Sequence, residues 1–230
     1  MRDTFLPMVL LCQEKCVNLQ WFFLINNAMM KRFILIIFSA ALLGCSGGGK
    51  KPQTATDTTS KQDFTAFDVQ KDFADNGFTY FTKNLILCVG DSSESNAMAI
   101  GWGAIGNYLG HDRPAVTVYV APARYIYEFM ERHKRFTVME FDDPRVWQYM
   151  GKYSGRDGDK AAALGLHVAY TEHGTPYYTE AKTVIECETM TAWHQSAEDF
   201  RNDTPKQWYD GFEAGIHTVY IGEVIGAWKK

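Results

Sequence analysis

An arginine, a lysine and hydroxyls set among glycines are what a chain offers to a phosphate, because cations and backbone amides can converge there with no side chain in the way. Two segments of this 230-residue sequence have that character. Ala121-Pro122-Ala123-Arg124-Tyr125 places an arginine at the predicted first turn of a helix, where free N–H groups and a guanidinium suit an oxyanion. Tyr153-Ser154-Gly155-Arg156-Asp157-Gly158-Asp159-Lys160 adds hydroxyls, a glycine-permitted turn and a cation cluster. A third segment, Asn96-Ala97-Met98-Ala99-Ile100-Gly101-Trp102, reads as a strand running into glycines. A flat ligand can approach such a backbone closely, and Asn96 can hydrogen-bond it. The fourth, Gly215 to Val224, brings His217 to the start of a late strand, and histidine is the side chain whose proton moves near neutral pH.

Other patterns fail on their context. Gly101-Trp102-Gly103-Ala104-Ile105-Gly106 satisfies the dinucleotide fingerprint, yet a loop from Asn107 to Pro114 follows where a helix N-terminus would have to hold the pyrophosphate. None of the six histidines forms HExxH, and His167 and His173 are six apart around a turn, a poor spacing for shared ligation. Arg156 to Asp159 lacks the later oxygen ligands of a calcium loop. Neither a G-x-S-x-G elbow nor a CxxC pair is present.

The elements that must position these residues come from the apolar pattern. Strand-like runs occur at Leu85 to Gly90, Ala97 to Trp102, Ala115 to Ala121, Arg135 to Phe141, Leu166 to Tyr170, Thr183 to Met190 and Ile216 to Trp228. Short helices start after Pro122, at Asp143-Pro144, near Asp159 and at Thr204-Pro205. With few helices and no strand-helix alternation, the fold class is mainly β with short helices, a largely antiparallel barrel or sandwich over residues 62–230. A content of 46% hydrophobic and 22% charged residues excludes disorder as the main state. Net charge is −4, and no basic block follows the N-terminus, which excludes a phosphate-tracking nucleic-acid surface. Cys88 and Cys187 lie in apolar strand-like runs as buried small hydrophobes, and a disulfide between them stays open.

The first sixty residues read differently. Met30-Lys31-Arg32 and the apolar run Phe33 to Leu43 are built as a secretory signal, too short for a bilayer span of about 20 residues. It ends in Leu42-Leu43-Gly44-Cys45, which resembles the lipobox of bacterial lipoproteins and implies residues 30–44 as signal peptide, a lipid on Cys45 and an exported, membrane-anchored protein of the bacterial envelope. Residues 45–61 have the composition of a flexible tether. Residues 1–29 read as an extension before the true start at Met30.

Five landmarks, in order, are N-A-M-x-x-x-W at Asn96 to Trp102, A-P-x-R-Y at Ala121 to Tyr125, S-G-R-D-x-D-K at Ser154 to Lys160, I-E-C at Ile185 to Cys187, and H-T-x-x-I-G-E-V at His217 to Val224. With them residues 80 to 228 resemble the flavin reductase-like family of FMN-binding split β-barrels, of the flavoredoxin type. The resemblance implies an FMN-dependent oxidoreductase, a flavin reductase or an electron carrier, working as a homodimer with FMN at the subunit interface. The isoalloxazine ring would lie along Asn96, Ala97, Met98, Ala99, Gly101 and Trp102. The phosphate would sit near Arg124, Tyr125, Ser154, Gly155 and Lys160, and His217 would be the catalytic residue near the exposed flavin face. The donor would be NAD(P)H or a redox protein.

Ala99, Ile126 and Ala161 stand where the family commonly has Thr, Thr and an aromatic residue, so two hydroxyl contacts are missing. Export also separates the chain from cytoplasmic nicotinamide nucleotides. The alternative function is therefore a non-enzymatic envelope lipoprotein binding a flavin, haem or another planar ligand.

Overall fold

The computed structural model describes residues 63–230; residues 1–29, the signal, Cys45 and the tether lie outside the described residues. Ten strands follow in chain order: β1 Thr65–Ala66, β2 Leu85–Gly90, β3 Ser95–Ile100, β4 Gly103–Asn107, β5 Pro114–Val120, β6 Arg135–Glu140, β7 Val168–Tyr170, β8 Pro176–Tyr178, β9 Thr183–His194 and β10 Thr218–Lys229. The helices are α1 Gly77–Tyr80, α2 Tyr125–Arg132, α3 Pro144–Lys152, α4 Lys160–Leu164 and α5 Asp203–Tyr209, with a 3₁₀ turn at Ala197–Asp199.

One antiparallel sheet carries the order β3-β2-β6-β9-β10-β5-β4, with β1 added to β10. Its two edge strands, β3 and β4, are consecutive in the chain and are joined only by Gly101-Trp102. Three Cα steps span at most about 11 Å, so the far edges of the sheet must come together. The sheet curls into a barrel that stays split between β3 and β4, because no described ladder joins them. The fold is the mainly β split barrel that the sequence implies.

Strand β2 shows why its sequence is an unbroken apolar run. Leu85, Leu87 and Val89 enter one core with Val116, Val118, Phe136, Ile185 and Tyr220, while Ile86 and Cys88 enter a second with Met139 and Val184. Alternate side chains face opposite sides of a strand, so a strand buried on both faces has no polar positions. Helix α2 packs on the first core through Ile126, Phe129 and Met130, and α3, α4 and the β7–β8 hairpin cover the second through Val146, Met150, Ala161, Tyr177 and Tyr178. Each large apolar side chain buried this way contributes about 1.5–3 kcal/mol. Cys88 and Cys187 are both free and buried, and they belong to opposite cores. The disulfide left open by the sequence does not form.

The I-E-C landmark has a structural reason. Glu186 is fully buried, and its carboxylate accepts hydrogen bonds from the Thr171 hydroxyl at 2.8 Å and the Thr175 hydroxyl at 2.5 Å, with His173 Nδ1 at 3.1 Å. It clasps the β7–β8 turn to the sheet. Helices α3 and α4 start where expected, with Asp143 and Asp159 accepting amide hydrogen bonds as N-caps. Strands β4 and β8 were not legible as strands. β4 is glycine-rich and of low β propensity, and the reason is close approach, since a Cβ at Gly103 would lie 2.1 Å from the Phe81 ring.

Candidate functional site

At the split of the barrel, where β3 runs into Gly101-Trp102, lies a cavity of about 450 Å³. Three elements supply its polar half. Helix α2 has Arg124 as N-cap residue, and no side chain caps the helix, so the amides of Tyr125 and Ile126 stay open while that of Tyr127 donates to the Arg124 carbonyl at 2.9 Å. The turn from Ser154 to Asp157 is closed by the Ser154 carbonyl accepting from the Asp157 amide at 3.1 Å and by Ser154 Oγ accepting from the Arg156 amide at 3.2 Å. Asn96 sits opposite, buried on β3. Gly155 is required here: a Cβ would come within 2.3 Å of Asn96 Oδ1, so a larger residue would push the asparagine out of place.

The cations of this half divide their work. Arg156 donates to Glu128 at 2.5 Å and to the Ala123 carbonyl at 3.4 Å, with its guanidinium 4.7 Å from the Tyr125 ring centre. Lys160 is buried, and its ammonium donates to the Ala97 carbonyl at 2.5 Å and the Met150 carbonyl at 3.5 Å. Burial holds the Lys160 pKa below its ordinary value. Arg156 is ion-paired and Lys160 is bound to two carbonyls, whereas the Arg124 guanidinium has neither an ion pair nor a hydrogen-bond acceptor among the described residues.

Aromatic rings wall the other half. Trp102 meets Trp208 with ring centres 4.5 Å apart and His217 at 4.8 Å, and the His217 ring lies nearly parallel to Phe212 at 5.6 Å. Tyr209 Oη is 2.9 Å from His217 Nδ1 and accepts the His217 backbone N–H at 3.4 Å. Burial, and then the Arg124 charge, hold the imidazole pKa below 6.5, so the ring is neutral at pH 7. A cavity with an open helix N-terminus and a cation at one end and stacked rings at the other suits a planar ligand carrying an anionic tail.

A family model described as a flavin reductase like domain matches residues 79–230. The chain belongs to the flavin reductase-like family. An FMN-binding domain of a flavin reductase-like enzyme from Shewanella baltica shares this family member's fold, with a TM-score of 0.53 at 18% identity over 73% of this chain and 77% of that one. Flavoredoxins from Methanosarcina acetivorans and Desulfovibrio vulgaris align at 22% and 25% identity, each with a TM-score of 0.49, over 64% of this chain and 67% and 69% of theirs. No curated protein matches the chain.

In this flavin reductase-like chain the structure gathers Asn96, Met98, Ala99, Gly101, Trp102, Arg124, Tyr125, Ser154, Gly155, Lys160 and His217 around one cavity. Ala97 and Lys160 stand apart from the rest. Ala97 does not line it: its side chain faces the second core, and only its carbonyl matters, as an acceptor for Lys160. Lys160 lines the cavity but spends its ammonium on two backbone carbonyls that tie β3 to α3, because a buried ammonium must satisfy its donors with whatever is near. The sequence reading missed Trp208, Tyr209 and Phe212. Their signal was present as W-Y-x-x-F at Trp208 to Phe212, three rings within five residues, which the end of α5 at Tyr209 and the left-handed Gly211 bring together with Trp208 and Phe212 ring centres 4.9 Å apart.

His217 carries a pH signature. A depressed pKa means that the unfolded chain binds the proton more readily, so stability is complete above 6.5 and falls as pH drops through that value toward the folded pKa. In urea titrations between pH 7.5 and 5.5, the wild-type chain is expected to lose stability relative to His217→Gln as the pH falls. Equal loss in both would refute the shift.

Proposed function

We propose that this family member binds FMN in the cavity at the barrel split and works as an envelope redox flavoprotein, its flavin reduced by NAD(P)H or a redox protein. The observation that carries the reading is the pairing of an uncapped α2 N-terminus and unpaired Arg124 with the Trp102 and His217 rings in one cavity. The donor set fits the cofactor. Arg124 and the α2 amides match a phosphate, the space kept open by Gly155 lets Asn96 reach a ring edge, and Trp102 offers a stacking face. Ala99 and Ile126 line the same cavity with apolar side chains, so the contacts available there are to apolar ring surface and not to hydroxyls.

Bound FMN supplies the electron chemistry. The protein residues then have distinct tasks. Arg124 neutralises the phosphate, Trp102 and His217 exclude water from one ring face, Lys160 holds β3 in place from below, and neutral His217 can donate a hydrogen bond beside the ring. The first experiment is FMN titration of the full chain in detergent, followed by removal of excess flavin. A yellow one-to-one complex is expected. Arg124→Ala should weaken binding by roughly 10- to 100-fold, the value of a charge-assisted hydrogen bond of about 1.5–3 kcal/mol. Folded protein that retains no FMN would overturn the reading.

Two further parts of the proposal have their own tests. The lipobox-like Leu42-Leu43-Gly44-Cys45 supports signal cleavage and a lipid on Cys45, so the chain should fractionate with membranes and Cys45→Ser should not carry lipid by mass. An unlipidated wild-type cysteine would end that idea. A homodimer is supported by Phe78, which is 99% exposed, by Leu109, which is 73% exposed, and by the unpaired edge of β4. Sedimentation should find a dimer that Phe78→Asp weakens; a wild-type monomer refutes it.

A further inference from the structure

We infer that Tyr209 is a positioning residue that holds the His217 imidazole as the neutral Nε2–H tautomer, so that the ring presents a hydrogen-bond donor, not an acceptor, to whatever occupies the cavity. The inference deepens the functional reading above and rests on it only for the identity of the occupant.

The geometry leaves few alternatives. Tyr209 Oη accepts the His217 backbone N–H at 3.4 Å and lies 2.9 Å from Nδ1 of the same residue. A phenol has one hydrogen to give. Among the described residues the acceptor within reach of the Tyr209 hydroxyl is His217 Nδ1. Burial pushes the phenol pKa up, which keeps that hydrogen in place at neutral pH.

The other ionisable groups around the ring point the same way. Arg124, at the start of α2, and Tyr119, on β5, line the same cavity, and Arg124 is the charge acting on the imidazole. No carboxylate pairs with His217; the histidine ion pairs of the described residues are made by His133, His167, His173 and His194. Nothing nearby favours the imidazolium. A neutral ring whose Nδ1 accepts must carry its proton on Nε2.

Packing fixes the ring plane as well as the tautomer. His217 packs against Trp102 at 4.8 Å and Phe212 at 5.6 Å, and Tyr209 is itself stacked on Phe200, with ring centres 5.4 Å apart and planes 6° apart. A half-turn of the imidazole about Cβ–Cγ, which would put Cδ2 in the place of Nδ1, has to sweep past these rings and gives up the Tyr209 hydrogen bond. An oxygen or nitrogen lone pair is what such a site selects at that point of the cavity, and a donor group there is rejected.

The test uses the ¹⁵N-labelled full chain without flavin, so it does not depend on cofactor binding. Long-range ¹H–¹⁵N correlation at pH 7.5, assigned with His217→Gln, should show Nε2 protonated and Nδ1 as a hydrogen-bonded acceptor. Tyr209→Phe keeps the ring and its stack but removes the hydroxyl; it should shift the Nδ1 resonance and let the Nδ1–H tautomer appear, since the donor that holds Nδ1 as an acceptor is gone. A proton on Nδ1 in the wild type overturns the inference whether or not the variant folds. So does a Tyr209→Phe protein with an unchanged Nδ1 resonance. Loss of FMN binding with the expected tautomer in place would count against the flavin reading alone.

Discussion

The two residues between β3 and β4 constrain everything else. Because Gly101-Trp102 must join the opposite edges of a seven-strand path, the sheet has to curl, and the curl creates an interior that apolar residues of β2, β5, β6 and β10 fill. Closure is incomplete: among the described residues no ladder joins β3 to β4, so the seam stays open where the chain passes from one edge to the other. The cavity is that opening, and Trp102 stands in it because the link is where it is.

An opening in a barrel exposes unpaired backbone, and the surrounding elements deal with it. Lys160 donates to the Ala97 carbonyl from beneath β3, Trp147 Nε1 donates to the Ile100 carbonyl at 3.2 Å, and α2 presents its open amides across the gap. The segment between β9 and β10 adds the third wall through Trp208, Tyr209 and Phe212. Rigid neighbours on three sides make the cavity preformed, which lowers the entropy cost of holding a ligand.

The S-G-R-D-x-D-K segment shows how a landmark can combine scaffold and site. Ser154 closes its own turn, Arg156 is paired with Glu128, Asp159 caps α4 and Lys160 ties two backbones together. Only Gly155, by having no side chain, directly shapes the space facing Asn96. Residue types typical of a phosphate site are here mostly satisfied by protein groups, whereas the Arg124 guanidinium has no acceptor among the described residues. Polar side chains near a buried turn must find partners, and in this loop the partners are close in space.

By itself the sequence determined what depends on local physics. The double-faced apolar run of β2, the Asp143 and Asp159 caps, the α2 stripe of Ile126, Phe129 and Met130, and the family landmarks were all legible, because strand alternation, capping and helical spacing act within a few residues. Tertiary structure alone decided the strand character of β4 and β8, the separation of Cys88 from Cys187 into opposite cores, the inward turn of Lys160 and the aromatic wall on His217. Each of these depends on which group from a distant part of the chain arrives within a few ångströms. Hydrogen-bond satisfaction and close packing are decided by that arrival, and no spacing along the sequence encodes it directly.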